Sequence, residues 1–233
     1  MLSSGGTMMA TYVLIHGAND SWYWHRVVPE LRALGHEVVA PDLPSDDAAG
    51  LAGYTDTVVS AIGDRTELVV VAQSLGGFTG PLVCARVPAE LLVMVAAMVP
   101  SPGETAGDWW ENTGTEQARR EHDACSGRPP EFDLRTSFFH DVPPEVADEA
   151  MAREPRSESA AMWTDPWPLT AWPDVPTRFL LCRDDRFFPA PFLRGVVRDR
   201  LDIEPDEFPS GHLPALSRPK ELADRLEAYR TAL

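Results

Sequence analysis

Short, almost wholly apolar runs alternate along the chain with segments in which apolar residues recur every three or four positions. The apolar runs predict strands, and the longer spacing predicts amphipathic helices. The predicted strands are residues 11–15, 36–40, 67–72, 91–95, 177–182 and a short one near 207–208. The predicted helices are residues 24–34, 55–62, 78–87, 192–201 and 222–229. Apolar strands that alternate with helices are typical of an α/β fold with a mostly parallel sheet covered on both faces.

This alternation stops between residues 100 and 176. The segment has clustered prolines, five of the seven tryptophans, and one clear helical pattern at 141–153. A long aromatic insertion between core strands is the usual position of a cap, and its tryptophans are costly to leave in water. We therefore predict a core of residues 1–102 and 173–233 and a cap of 103–172. A surface excursion without a role is the alternative. The insertion tryptophans are expected to line or seal an apolar pocket: Trp109, Trp110, Trp163, Trp167 and Trp172.

Composition limits the classes of partner. The 233 residues, 44% of them hydrophobic, suit one domain, and the net charge of -16 disfavours nucleic acid and anionic membranes. Three well-separated cysteines suit a reducing compartment, and the first nine residues lack the pattern of a signal peptide. With no apolar run of membrane-spanning length, we expect a cytoplasmic protein without membrane contact. The cysteines have no metal-ligand spacing, and neither a metal nor a cofactor is expected.

The run of β-branched residues before Ser74 ends in a serine followed by Leu75 and two glycines. Strand, sharp turn and helix with a serine at the apex form the nucleophile elbow of α/β-hydrolases. The turn requires small flanking residues; Gly76 satisfies this on one side, and Ala72 replaces the usual glycine on the other. An ordinary turn serine is the alternative. We predict that Ser74 is a nucleophile.

A serine nucleophile needs a base and a group that orients the base. In this fold the order along the chain is serine, acid, histidine. The chain provides Ser74, then Asp184 or Asp185, then His212 on a glycine-bearing loop before the last helix. Asp185 is preferred because it lies just before a proline-initiated helix, and Asp184 is the alternative acid. The histidines expected to be structural or solvated are His25, His36, His122 and His140.

Acyl transfer also needs two backbone amides directed at the developing oxyanion. One is expected from Leu75, which follows the nucleophile. The other is expected from Ala18, which follows His16-Gly17 at the end of the first strand. Asp42 at a neighbouring strand end is expected to fix a loop.

Several motifs together resemble the plant methylesterase and hydroxynitrile lyase branch of the α/β-hydrolases. They are Val13–Ala18, Ser21–Trp24, Gly35–Val38, Ser74–Gly77, Cys182–Asp185, Pro189–Phe192, Gly211-His212 and, more loosely, Phe139–Glu145. The resemblance implies the α/β-hydrolase fold, a triad of Ser74, Asp185 and His212, and a pocket beneath a cap. The chain departs from the pattern at Ala72 and at Gln73, where the esterases usually carry histidine.

The main functional prediction is a cofactor-independent serine hydrolase that acts on a small apolar ester. The alternatives are a lyase that uses the same triad on a cyanohydrin and a noncatalytic hydrolase-fold receptor. In the lyases of this branch a lysine follows the histidine and a threonine lies near the oxyanion loop, whereas this chain has Leu213 and Ala18. The expected partner is a small-molecule ester, and a homodimer is left open.

Overall fold

The sheet has the predicted order of elements. The computed structural model describes residues 9–129 and 131–233, so the expectation about a signal peptide falls mainly on residues outside the described part. The described strands are β1 (Thr11–Ile15), β2 (Glu37–Val39), β3 (Leu68–Gln73), β4 (Ala89–Val95), β5 (Thr177–Cys182) and β6 (Asp206–Phe208). They form one parallel sheet in the order β2-β1-β3-β4-β5-β6. The predicted α/β fold is confirmed.

Helices cover the sheet. Those outside the insertion are α1 (Val27–Ala33), α2 (Leu51–Ile62), α3 (Gly80–Cys84), α9 (Ala190–Leu201), α10 (Pro214–Ser217) and α11 (Pro219–Thr231). Those between β4 and β5 are α4 (Ala106–Thr113), α5 (Thr115–Cys125), α6 (Leu134–Phe138), α7 (Pro144–Ala152) and α8 (Ala160–Thr164). Short 3₁₀ helices span Ser21–Trp24 and Ser74–Phe78. None of the helices in the described ranges is long and apolar enough to cross a membrane.

Both faces of the sheet are buried, as the apolar strands predict. Successive residues of a strand point to opposite faces. In β3, Val70 and Ala72 join the cluster that includes α2, α3 and α9, whereas Val69 and Val71 join the cluster that includes α1, α10 and α11. This double coverage is why the central strand β3 is apolar up to its last residue, Gln73.

The sequence shows one clear helical pattern in the segment between β4 and β5, whereas the described residues of that segment form five helices. Three of them begin at residues whose side chains accept an N–H of the first turn: Thr105 from Asp108, Asp133 from Thr136, and Ser159 from Met162. Such caps favour helix initiation even in short segments. Since the helices are short and α5 is mostly polar, periodicity alone does not reveal them.

Candidate active site

Ser74 lies in the sharp turn directly after β3, where its backbone has a φ of 52°. A positive φ is uncommon for any residue other than glycine, and it persists here because the surrounding packing imposes it. A side chain at position 76 would place a Cβ 2.8 Å from the carbonyl oxygen of His16. Glycine is therefore required there for close approach of the backbones. The structure forms the predicted elbow.

The structure brings the three predicted triad residues together. Nδ1 of His212 lies 2.7 Å from Oδ2 of Asp185, and Nε2 of His212 lies 3.0 Å from the hydroxyl oxygen of Ser74. A carboxylate only accepts hydrogen bonds, so the proton of the neutral ring is on Nδ1, and the lone pair of Nε2 faces the serine hydroxyl. This is the tautomer that can remove a proton from Ser74.

The geometry separates the two adjacent aspartates. Asp185 is buried, and its Oδ1 accepts the N–H groups of Phe187 and Phe188 at 2.8 and 3.0 Å. Asp184 is exposed, and its carboxylate faces the guanidinium of Arg183 at 3.3 Å. Of the two, only Asp185 reaches the imidazole of His212.

The loop after β1 packs directly on the predicted nucleophile. A Cβ added to Gly17 would lie 2.8 Å from the Cβ of Ser74, and Ala18 lines the cavity beside Ser74. His16 fixes this loop, since its Nε2 accepts the N–H of Leu43 at 3.2 Å and its Nδ1 faces the carbonyl of Gly17 at 3.1 Å. Burial lowers the pKa of His16, which favours the neutral ring whose Nε2 accepts the N–H of Leu43.

The side chain of Asp42 accepts the N–H of Ser21 at 2.8 Å, as expected of a loop-fixing residue. Asp20 is the N-cap of the short helix Ser21–Trp24, and its side chain accepts the N–H of Trp22 at 3.1 Å. These two carboxylates order the loop beside the cavity.

Two contacts to the loop of His212 were not predicted. Nε2 of Gln73 donates to the carbonyl of His212 at 3.1 Å, and the N–H of Gly211 donates to Oδ2 of Asp141 at 2.7 Å. Gln73 comes from the elbow and Asp141 from the insertion. Neither has a local sequence signal, because both act on a loop far away along the chain.

Three phenylalanines surround the imidazole of His212. The ring centroids of Phe138, Phe187 and Phe188 each lie 5.1 Å from the centroid of the imidazole, in edge-to-face orientations. Phe138 belongs to α6 of the insertion, and the other two follow Asp185. The aromatic wall limits the access of water to the ring and restricts its rotation.

A cavity of about 320 Å³ opens at Ser74 and His212. Its walls are largely apolar, and the insertion contributes several of them: Leu134, Phe138, Phe139, Ala150, Met151 and Pro155. The expectation that insertion tryptophans line the pocket is wrong. Trp109 and Trp167 are instead buried in the core, where their indole N–H groups bond to the carbonyls of Val99 and Phe78. The apolar insertion residues at the cavity are leucine, phenylalanine, methionine, alanine and proline.

Charge at the cavity is mostly neutralised. Arg153 lies 2.9 Å from Asp20, and its guanidinium stacks over the ring of Trp22 at 4.9 Å. Glu154 adds a negative charge to the same wall. Across the described ranges, no group of His, Cys, Asp and Glu side chains is arranged to hold a metal ion. The site offers a serine, an imidazole and apolar walls.

Comparison with known proteins gives the family. Residues 12–225 match the model of the alpha/beta hydrolase family. The chain therefore belongs to the α/β hydrolases, and the predicted resemblance to the methylesterase branch is confirmed. It is 25% identical to Methylesterase 9 of Arabidopsis thaliana, over 94% of this chain and 97% of that protein. It is also 25% identical to Methyl jasmonate esterase 1 of Vitis vinifera, over 93% and 95% of the two chains.

Solved structures show the same fold. Polyneuridine aldehyde esterase superposes with a TM-score of 0.76 at 20% identity, covering 95% of this chain and 99% of that one. A pyrethroid hydrolase from Sphingobium faniae also gives a TM-score of 0.76, at 22% identity, with coverage of 97% and 98%. At these identities the superpositions support the fold.

Proposed function

We propose that this protein is a serine-dependent carboxylic ester hydrolase that acts on a small apolar ester. The observation that carries the proposal is the continuous chain of contacts from Asp185 through His212 to Ser74, at 2.7 and 3.0 Å. The names of the relatives, which include methylesterases and a methyl jasmonate esterase, support an ester as the bond that is cleaved.

The mechanism follows from the positions of the groups. His212 removes the hydroxyl proton of Ser74 as the serine oxygen attacks the ester carbonyl, while Asp185 holds the ring and stabilises the imidazolium. The backbone amides of Ala18 and Leu75 hold the developing oxyanion. His212 then returns the proton to the leaving alcohol. A water molecule, activated by the same imidazole, hydrolyses the acyl-enzyme and restores Ser74.

The insertion acts as the cap in this proposal. Its residues form the apolar wall opposite Ser74, and the cavity of about 320 Å³ suits a small ester. The negative charge that Glu154 adds beside the Arg153–Asp20 pair, together with the net charge of -16, disfavours an anionic substrate and favours departure of the carboxylate product.

The test is a panel of neutral esters of increasing acyl and alcohol size, assayed with the wild type and with Ser74→Ala. We expect turnover of short esters, with loss of several orders of magnitude in the variant. Mass spectrometry after treatment with an organophosphonate should show a single adduct on Ser74. Full ester turnover by folded Ser74→Ala, or an adduct elsewhere, would contradict the mechanism.

A further inference from the structure

The loop that carries His212 is anchored at three consecutive residues. The carbonyl of Ser210 accepts the N–H of Asp184 at 3.0 Å, and the carbonyl of His212 accepts Nε2 of Gln73 at 3.1 Å. Both of these anchors come from the core. The third is the N–H of Gly211, which donates to Asp141 at 2.7 Å. It connects the loop to the insertion.

The contact between Gly211 and the insertion is tight. A Cβ added to Gly211 would lie 2.5 Å from Oδ1 of Asp141 and 2.7 Å from Nε2 of His140. A side chain at position 211 would therefore displace the ends of these two side chains. Nε2 of His140 is buried against the loop. Burial lowers the pKa of His140, which favours its neutral form at this contact.

We propose that Asp141 is a positioning residue, whose carboxylate holds Gly211 so that the imidazole of His212 reaches Ser74. This inference rests on the proposed ester hydrolysis. Gly211 is the immediate neighbour of His212, so a shift of its peptide moves the imidazole. A misplacement of about 1 Å of a reacting group costs about a hundredfold in rate.

The proposal gives the insertion a second role. Besides forming a wall of the cavity, it supplies Asp141 to the backbone of the base loop and Phe138 to the ring of His212. The substrate does not need to touch Asp141. Its loss should therefore slow the chemical step and leave substrate binding nearly unchanged.

The experiment compares the full-length wild type with Asp141→Ala, Asp141→Asn and Asp46→Ala. Asparagine keeps an oxygen that can accept the N–H of Gly211, whereas alanine removes it. Asp46 is the matched control, because this exposed aspartate also accepts one backbone N–H, from Ala48 at 2.9 Å, away from the cavity. The measurements are kcat and KM on a short acyl ester, the rate of phosphonylation of Ser74, and the melting temperature.

We expect Asp141→Ala to lower kcat by about tenfold to a hundredfold with KM within about twofold. Asp141→Asn should recover most of the lost rate, and Asp46→Ala should match the wild type. Phosphonylation of Ser74 should fall in parallel with kcat. A kcat of Asp141→Ala within about twofold of the wild type would overturn the proposal, and so would failure of folded Asp141→Asn to restore the rate.

If Asp141→Ala does not fold, Gly211→Ala tests the proposal instead, because its added methyl group disturbs the same contact with Asp141. We expect a lower kcat with little change in KM, and a wild-type kcat would overturn the proposal. Failure of the proposed function has a different signature. In that case the wild type turns over no ester, but the rate of phosphonylation of Ser74 is still lower in Asp141→Ala than in the wild type and in Asp141→Asn.

Discussion

The methyl group of Ala72 lies against Gly80, at the point where the strand before Ser74 meets the helix after it. A Cβ on Gly80 would be 2.7 Å from the Cβ of Ala72. Ala72 carries a methyl group where the elbow pattern usually has glycine. The structure accommodates this methyl group because residue 80, six residues after Ser74, is a glycine. Packing of β3 against α3 depends on this pair.

The first prediction is that Gly80→Ala destabilises the fold by about 1–3 kcal/mol, because a well-packed core absorbs an added methyl poorly. The double variant Ala72→Gly with Gly80→Ala should recover part of that loss, since the two methyl groups exchange places. Urea unfolding of the four proteins gives the coupling free energy. Strictly additive effects of the two substitutions would contradict this account of the elbow.

The second prediction concerns the adjacent aspartates. Asp185→Asn should lower kcat by about four orders of magnitude, because an amide at this position supports the wrong tautomer of His212. Asp184→Asn removes only an exposed carboxylate beside Arg183 and should stay within about threefold of the wild type. Ester turnover by the two variants, with matched melting curves as the control, tests the assignment. The reverse order of activities would transfer the acid role to Asp184.

Local pattern was enough to predict most of the core and the three side chains that the structure brings together at the site. Apolar runs bounded by turns predict β1 and β5 with their observed bounds, and the spacing around Ser74 and His212 places both on loops after strands. Asp185 was preferred for its place before the helix that begins at Ala190. Each of these signals lies within a few residues of the feature that it predicts.

Features that depend on distant residues were missed. Helix α2 begins at Leu51, four residues before its predicted start, and the N–H of Leu51 is bonded to the carboxylate of Asp165 at 3.1 Å. Asp141 acts on Gly211 across a separation of 70 residues. The tryptophan content predicts that these side chains are buried, but it does not distinguish the cavity from the core. Trp109 and Trp167 are buried in the core. Tertiary contacts decide such positions.

The third prediction follows from the observed lining of the cavity. Leu134 and Met151 are partly exposed at its wall, and shortening either should reduce discrimination among esters of different chain length. Each methylene that loses its contact changes kcat/KM by about fourfold, from about 0.8 kcal/mol. Leu134→Ala and Met151→Ala are compared with wild type on a homologous ester series. Unchanged selectivity in both variants would contradict their place in the substrate site.

Trp109→Phe is the matched comparison for those variants. The substitution removes the hydrogen bond to Val99 and leaves a gap in the core, so we expect a loss of about 2 kcal/mol in the free energy of unfolding. Its selectivity across the ester series should equal that of the wild type. A change in chain-length preference would indicate that Trp109 contributes to the substrate pocket.

The fourth prediction is a pH dependence of stability caused by His16. Burial lowers its pKa below the 6.5 of the unfolded chain, so the unfolded state takes up a proton that the folded state resists. Stability contributed by the neutral ring is fully present above pH 6.5 and is lost as the pH falls from 6.5 through the lower pKa of the folded state. Urea unfolding at about pH 7.5 and about pH 5.5 should show a larger loss for wild type than for His16→Asn. Equal losses would exclude this contribution.

The last prediction separates ester hydrolysis from cyanohydrin cleavage. Departing cyanide carries a full negative charge, and an unpaired charge in a dry site costs several kcal/mol. Leu213, beside His212, provides no charge at the cavity, and Arg153 is already paired with Asp20. The methyl group of Ala18 offers no hydrogen bond to a substrate hydroxyl, whereas an ester carbonyl needs only backbone amides. We expect Ser74-dependent hydrolysis of short acyl esters and no cyanide release from mandelonitrile above the spontaneous rate. Ser74→Ala measures the background of both assays, and cyanide release by wild type well above that background would establish the lyase instead.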